Sequence, residues 1–264
     1  PPINVDQPMF SLFRQKPLLD EGTTEWLWES YAWALRNFDR DLFYSQTQLV
    51  TPSKAHFFDQ ADDGHVLAGL ILERIKGYMA LQKWPTHLIP VTEETQALPA
   101  PAIAISGAVR GAGALIQIDN TQGAPIYYDP ILLRQPDLLI TIMAQNLANP
   151  LAQLIPEPPP GGDENRGHAT DLLAIFMGFG LFLTNNAFNY HIGSCGSCKP
   201  KGVQLLGELT EGQMAYALAL FCVLKEVPNS EVLPHLKSTL RPFFKLALKE
   251  IKGKTEELAQ LRSL

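Results

Sequence analysis

Cysteine is scarce in this chain. Only Cys195, Cys198 and Cys222 occur among 264 residues. One disulfide at most can close, so this is not a disulfide framework. A reducing compartment, the cytoplasm, is the expected location. Basic residues are in deficit, 21 against 27 acidic, for a formal net charge of -6. Phosphate backbones need a basic face, so nucleic acid is not an expected partner. The last forty residues are locally basic, with eight Lys or Arg against five Glu, and read as a solvated helical surface. A secretory leader pattern is missing from the visible start, which opens on Pro1-Pro2 without Met. Long apolar runs are missing as well. The longest, Leu172 to Leu183, falls short of the ~18 residues of a membrane span, and no integral membrane segment is expected.

Several catalytic signatures are absent too. There is no G-x-S-x-G, no G-x-x-x-x-G-K and no strand followed by G-x-G-x-x-G. The glycines of Gly107 to Gly113 (GAVRGAG) suit a hairpin connection better than a phosphate cradle.

What is present describes a folded α+β protein. Apolar residues make up 46% and charged residues 18%, enough for a substantial core. Residues 1–21 are Pro-rich and irregular. A helix is expected from Thr23 or Thr24 to about Asn37, with an aromatic face. Leu42 to Val50 alternates and is rich in strand formers, which predicts a strand ended by Thr51-Pro52. His65 to Leu81 has an amphipathic helical pattern. His87–Val91 reads as a short strand, and Ala102–Ser106, Leu115–Asp119 and Ile126–Tyr128 read as a small sheet or meander. Closely spaced prolines at 92–101 suggest a seam. The expected division is an N-terminal lobe over residues 1–95 and a second lobe over 96–264, mainly helical in its C-terminal half. There, Thr210 and Gln213 form a capping-box pattern ahead of an apolar helix, and a final helical pair covers Ser230–Leu240 and Arg241–Lys252.

The stretch from Leu138 to Asp171 carries the functional question. Its first half is an apolar helix with three amides, Gln145, Asn146 and Asn149. Gln145 and Asn149 are four apart and share a helical face. Pro150 should perturb the last turns of this helix. A Pro-rich loop follows, and a second apolar helix then begins near His168 or Thr170 with Asp171 in its first turn.

The order of these pieces resembles the zincin metallopeptidases. More specifically, it is similar to a family of uncharacterised bacterial proteins with a zinc-peptidase core. In that family one helix reads A-H-E-L-A-H and the next carries T-D-L-x-A-V-F-x-G-x-G. Here Ala144 to Asn149 reads AQNLAN, and Thr170 to Gly180 reads TDLLAIFMGFG. Val50–Phe58 and Tyr216–Phe221 also look like family landmarks, so the resemblance spans roughly residues 40–250. It implies a zincin-like helical core with a small β-sheet. It places Gln145 and Asn149 at the two His ligand positions, Asn146 at the general-base position and Asp171 at a third, acidic ligand position. Only Asp171 keeps a suitable donor. Neutral amides are poor zinc ligands, and an amide cannot take a proton from a metal-bound water.

Three readings follow. The preferred one is a pseudoenzyme: a catalytically inactive metallopeptidase homologue, without a cofactor, that binds or regulates another protein or a peptide. The second is a metal-dependent hydrolase with relocated ligands around Asp171 and His168, with Glu164 as a further donor. The third treats the amides as ordinary polar residues at a helix end, unrelated to zincins. A separate zinc possibility lies in the loop where His191 precedes the C-x-x-C pair Cys195 and Cys198. A single such pair is a weak signal, and Lys199-Pro200 after it favours a plain loop. Cys222 sits in an apolar run and reads as a buried small hydrophobe.

Overall fold

The computed structural model describes residues 16–92, 94–95, 98, 101–119, 122–192 and 208–264, with backbone alone at 188–192. The chain is α+β, predominantly helical. Helix α1 (Glu21–Asn37) starts at Asp20, whose carboxylate accepts the Thr23 N–H at 2.9 Å. That takes over the capping role expected of Thr23 or Thr24. The segment expected as a strand over Leu42–Val50 is different. Asp39 caps Leu42, and Arg40–Ser45 forms a short helix, α2. The residues after it, Gln46 to Val50, join no sheet. Instead the Val50 N–H donates to the Gly178 carbonyl at 2.9 Å, so a helix kink supplies the hydrogen-bond partner.

Helix α3 (Gly64–Met79) is capped by Asp63 and ends at Ala80 in the left-handed conformation. Four strands follow: β1 (Thr86–Pro90), β2 (Ile103–Ile105), β3 (Ile116–Ile118) and β4 (Ala124–Tyr128). They form two pairs rather than one sheet. β1 lies parallel to β4 with Leu88 opposite Ile126, and β2 lies antiparallel to β3 with Ala104 opposite Gln117. β1 precedes the seam expected at 92–101 and β4 follows it. A strand pair therefore crosses the seam, and one buried core cluster takes residues from both sides.

The helical body begins with α4 (Pro136–Leu154), which has Pro136 in its first turn. The helix runs through Pro150 to Leu154 rather than stopping there. Next come α5 (Arg166–Ala174), a π-helical turn over Ile175–Phe179, and α6 (Gly180–Ile192). α5 starts earlier than His168. The helical run from Asp163 to Ala187 is long and apolar enough to cross a membrane by length and composition, but 89% of its most apolar window is buried inside the protein. Apolar residues on every side are what a core helix requires.

Gly178 explains the π-helical turn. Its φ is +100°, and a Cβ there would strike the Gln48 carbonyl. Only glycine takes this backbone conformation freely and allows that close approach. α7 (Glu211–Leu224) opens with the expected capping box of Thr210 and Gln213, and every residue from Met214 to Phe221 is fully buried. A single turn, α8 (Asn229–Val232), leads to α9 (Arg241–Gly253). α9 turns Phe244, Ala247, Leu248 and Ile251 toward α7. The last segment is also ordered, as α10 (Thr255–Ser263), held by buried Leu258 and Leu261.

Helix ends here are closed by long cations. Lys225 Nζ donates to the Phe43 and Tyr44 carbonyls in the last turn of α2, each at 2.6 Å. Arg110, from the glycine-rich connection, is fully buried and donates from Nε to the Phe38 carbonyl at the end of α1 at 2.7 Å. Such carbonyls have no partner within their own helix, which is why these donors stabilise the termini. Burial draws the Arg110 guanidinium down to a pKa of about 10, opposed by the charge of Asp39.

Candidate functional site

α4 and α5 pack side by side, and their contact contains the residues singled out by the sequence. Gln145 is 1% exposed and Asp171 is fully buried. The Gln145 Nε2 amide donates to Asp171 Oδ1 at 2.5 Å. The other carboxylate oxygen, Oδ2, accepts two backbone N–H groups, from Glu208 at 2.9 Å and from Leu209 at 3.0 Å. These two residues stand immediately before Thr210, so Asp171 also faces the positive end of α7. Sequence reasoning missed both partners. The only available hint was the capping box, which shows that helix N–H groups begin there but not which carboxylate approaches them.

Burial dominates the electrostatics of Asp171 and raises its pKa from 3.8 to about 6. Hydrogen bonds from Leu209, Gln145 and Glu208 partly offset that rise, and the nearby Glu208 carboxylate adds to it. Gln145 Oε1 is buried without a hydrogen-bond partner among the described residues.

The other two amides behave differently. Asn146 Nδ2 donates to the Tyr127 carbonyl of β4 at 3.3 Å, which ties the helix to the neighbouring strand. Asn149 is half-buried, and its side-chain amide makes no hydrogen bond to a described residue. The structure therefore brings Gln145 and Asp171 together, places Asn146 against the sheet and leaves Asn149 uncommitted.

His168 does not join Asp171. Its ring packs edge-on against Trp26, 5.8 Å between centroids, and Nδ1 lies 3.1 Å from Glu208 Oε2. That is ion-pair range, without the alignment of a hydrogen bond. Glu164 is exposed in the turn before α5. Among the described residues, no group of three or more His, Cys, Asp or Glu could hold a metal ion. The His191 side chain, Cys195 and Cys198 lie outside the described residues. Cys222 is buried, and burial pushes its thiol pKa well up, which makes it unreactive.

No protein-family model, curated protein or solved structure matches this chain.

The Pro-rich loop after α4 is clamped onto α1. Trp26 Nε1 donates to the Pro160 carbonyl at 2.8 Å, and Trp33 Nε1 to the Glu157 carbonyl at 2.9 Å. Arg36 and Asn37 hold the Glu157 carboxylate. These bonds fix the connection between α4 and α5 against α1. It sets where α5 starts and hence where Asp171 sits on it.

The arrangement has limited chemistry. An amide and a hydrogen-bonded carboxylate can hold structure together. The amide is not a base, and three N–H groups occupy most of the acceptor capacity of Asp171.

Proposed function

We propose that this chain is a catalytically inactive metallopeptidase-like protein that works as a peptide- or protein-binding module. The observation that carries the reading is the Gln145–Asp171 contact. It joins a ligand position on one helix to the acidic ligand position on the next, as the zincin resemblance requires, but with an amide where a metal-binding imidazole would stand. The neighbouring strand β4 lies beside the same helix, which also fits that resemblance.

In this reading the carboxylate has changed employment. Asp171 fixes the approach to α7 by accepting the Glu208 and Leu209 N–H groups, and Gln145 takes the space next to it. Among the described strands β1 pairs only with β4, so it has an outer edge to which an extended peptide could add.

Zinc analysis tests the proposal. The purified chain is expected to hold no stoichiometric zinc and to cleave no peptide in a broad library with zinc added. The Gln145→His, Asn146→Glu, Asn149→His triple variant, folded by circular dichroism, is expected to acquire zinc binding. Zinc in the unaltered chain that is lost on Asp171→Ala would sink the inactive reading. A folded triple variant that takes up no more zinc than the parent would remove the zincin kinship. Zinc lost on Cys195→Ser alone would point to a clip in the cysteine loop. An extended-peptide array tests the binding half, and binding by no peptide in it would count against that half.

A further inference from the structure

α3 is apolar on almost every side, yet it lies at the surface. Apart from Tyr78, its polar side chains are His65, Glu73, Arg74 and Lys76, and Lys76 is itself buried. A helix with so little polar surface belongs inside a core. One side does pack inward, through Ala68, Ile71, Leu72, Ile75 and Met79. The opposite side faces solvent, with Val66 53% and Leu70 40% exposed. Gly69 and Gly77 stand beside them, and a Cβ at either would meet nothing within 4 Å. Val66, Leu70, Glu73 and Gly77 are spaced by three and four residues, so they form one stripe. The Glu73 carboxylate within it is held by Lys76 Nζ at 2.9 Å.

Phe58 widens the stripe. It is 60% exposed, and the guanidinium of Arg74, one turn beyond Leu70, lies over its ring at 3.9 Å. Asp59 grips that guanidinium through two hydrogen bonds, of 2.5 and 2.6 Å. An exposed aromatic fixed in this way makes a ready anchor, because it needs little further ordering on contact.

The two ends of the stripe carry opposite charge. Exposed Asp62 and Asp63 precede α3, and exposed Lys83 sits in the turn after it. None of the three forms an ion pair with a described residue. A stripe that is acidic at its start, apolar in the middle and basic at its end is complementary to itself read backwards.

We propose that α3 pairs antiparallel with α3 of a second copy of this chain, across a two-fold axis. With the axis between Leu70 and Glu73, Val66 of each copy sits over Gly77 of the other. Leu70 packs on the Glu73 stem, and Asp62 faces the turn that carries Lys83. The glycines allow the helices a close approach. The exposed charge pairs add little affinity but set the direction, since a parallel pairing would put Asp62 against Asp62. One helix from each copy makes a small interface, so the dimer is a reversible one. The stripe does not include Gln145 or Asp171, and its test is independent of theirs.

Sedimentation equilibrium of the whole chain tests the proposal. A monomer–dimer equilibrium is expected, with a Kd on the order of 10–100 μM. Leu70→Glu should weaken it about tenfold or more. Asp62→Lys and Lys83→Glu should each weaken it several-fold, and the two together on one chain should restore it. Leu115→Glu, at an exposed apolar residue after the glycine-rich connection, should leave it unchanged. Circular dichroism of each variant separates loss of pairing from loss of the fold. Asp62→Lys alters an exposed residue before the helix, so it keeps the test decisive if Leu70→Glu proves unstable. A chain that stays monomeric at about 1 mM, or a dimer indifferent to both Leu70→Glu and Asp62→Lys, overturns the proposal. A dimer that the double charge swap fails to restore overturns the antiparallel arrangement.

Discussion

Gln145 and Asp171 are joined by a 2.5 Å hydrogen bond in a place that water does not reach. The bond links α4 to α5, and through the second carboxylate oxygen it reaches the start of α7. Three helices of the body are thereby registered by one carboxylate. A buried charge is tolerated only when its lone pairs are used, and this one is provided for from two directions.

Removing the amide should expose that dependence. Gln145→Leu leaves Asp171 Oδ1 buried and unpaired, and the loss of stability is expected to be about 1–3 kcal/mol by urea unfolding. In a double-mutant cycle with Asp171→Asn, the two substitutions should couple by roughly 0.5–3 kcal/mol. Simple additivity would mean that the contact contributes nothing of its own.

The elevated pKa of Asp171 gives stability a pH dependence of definite sign. The folded state holds the proton up to about pH 6, whereas the unfolded carboxylate releases it near 3.8. Between those values the folded state binds more protons, so this residue's contribution declines as pH rises from about 4 to about 6. The full excursion is on the order of 3 kcal/mol. Asp59 and Glu157, whose pKa values are lowered mainly by hydrogen bonds from Arg74 and Arg36, act in the opposite sense, and Asp137, raised by burial, acts in the same one. The parent minus Asp171→Asn difference in unfolding free energy isolates the effect. A flat difference across pH 4–7 would refute it.

Asp171 should also control the segment that enters α7. With Asp171→Ala, the Glu208 and Leu209 N–H groups lose their acceptor. Amide hydrogen exchange at these two positions is expected to accelerate about tenfold or more, while the buried middle of α7 keeps its protection. Unchanged exchange at both amides would show that Asp171 is not what holds them.

Two glycines should separate steric necessity from helix propensity. Gly178→Ala forces a side chain onto a left-handed position facing the Gln48 carbonyl, and a loss of about 2–4 kcal/mol is expected. Gly69 lies inside α3 with nothing within 4 Å of a Cβ placed there, so Gly69→Ala should be neutral or stabilise by up to about 1 kcal/mol. Urea midpoints of the two variants decide the matter. Equal effects would mean that the kink at Gly178 is not enforced by its backbone.

Much of the framework was legible because it rests on local chemistry. Helical periodicity marked α3, a Thr–Gln pair marked the start of α7, and short apolar runs between glycines and prolines marked the strands. Gln145 and Asp171 could be nominated because amides and a carboxylate in apolar helices demand a partner. Leu42–Val50 was misread because alternation is only half of a strand. The segment had no neighbour to pair with, so Asp39 capped a helix at its start and Gly178 took the Val50 N–H at its end. The sequence by itself determined the longer helices α1, α3, α4 and α7 and nominated Gln145 and Asp171 as polar side chains in need of partners, since propensity, capping and periodicity act within a few residues. Only the tertiary structure decided that β1 pairs with β4, that Arg110 is buried at the end of α1, and that Asp171 is held by Glu208 and Leu209. Those partners are distant in the chain, and long-range packing alone brings them within hydrogen-bond reach.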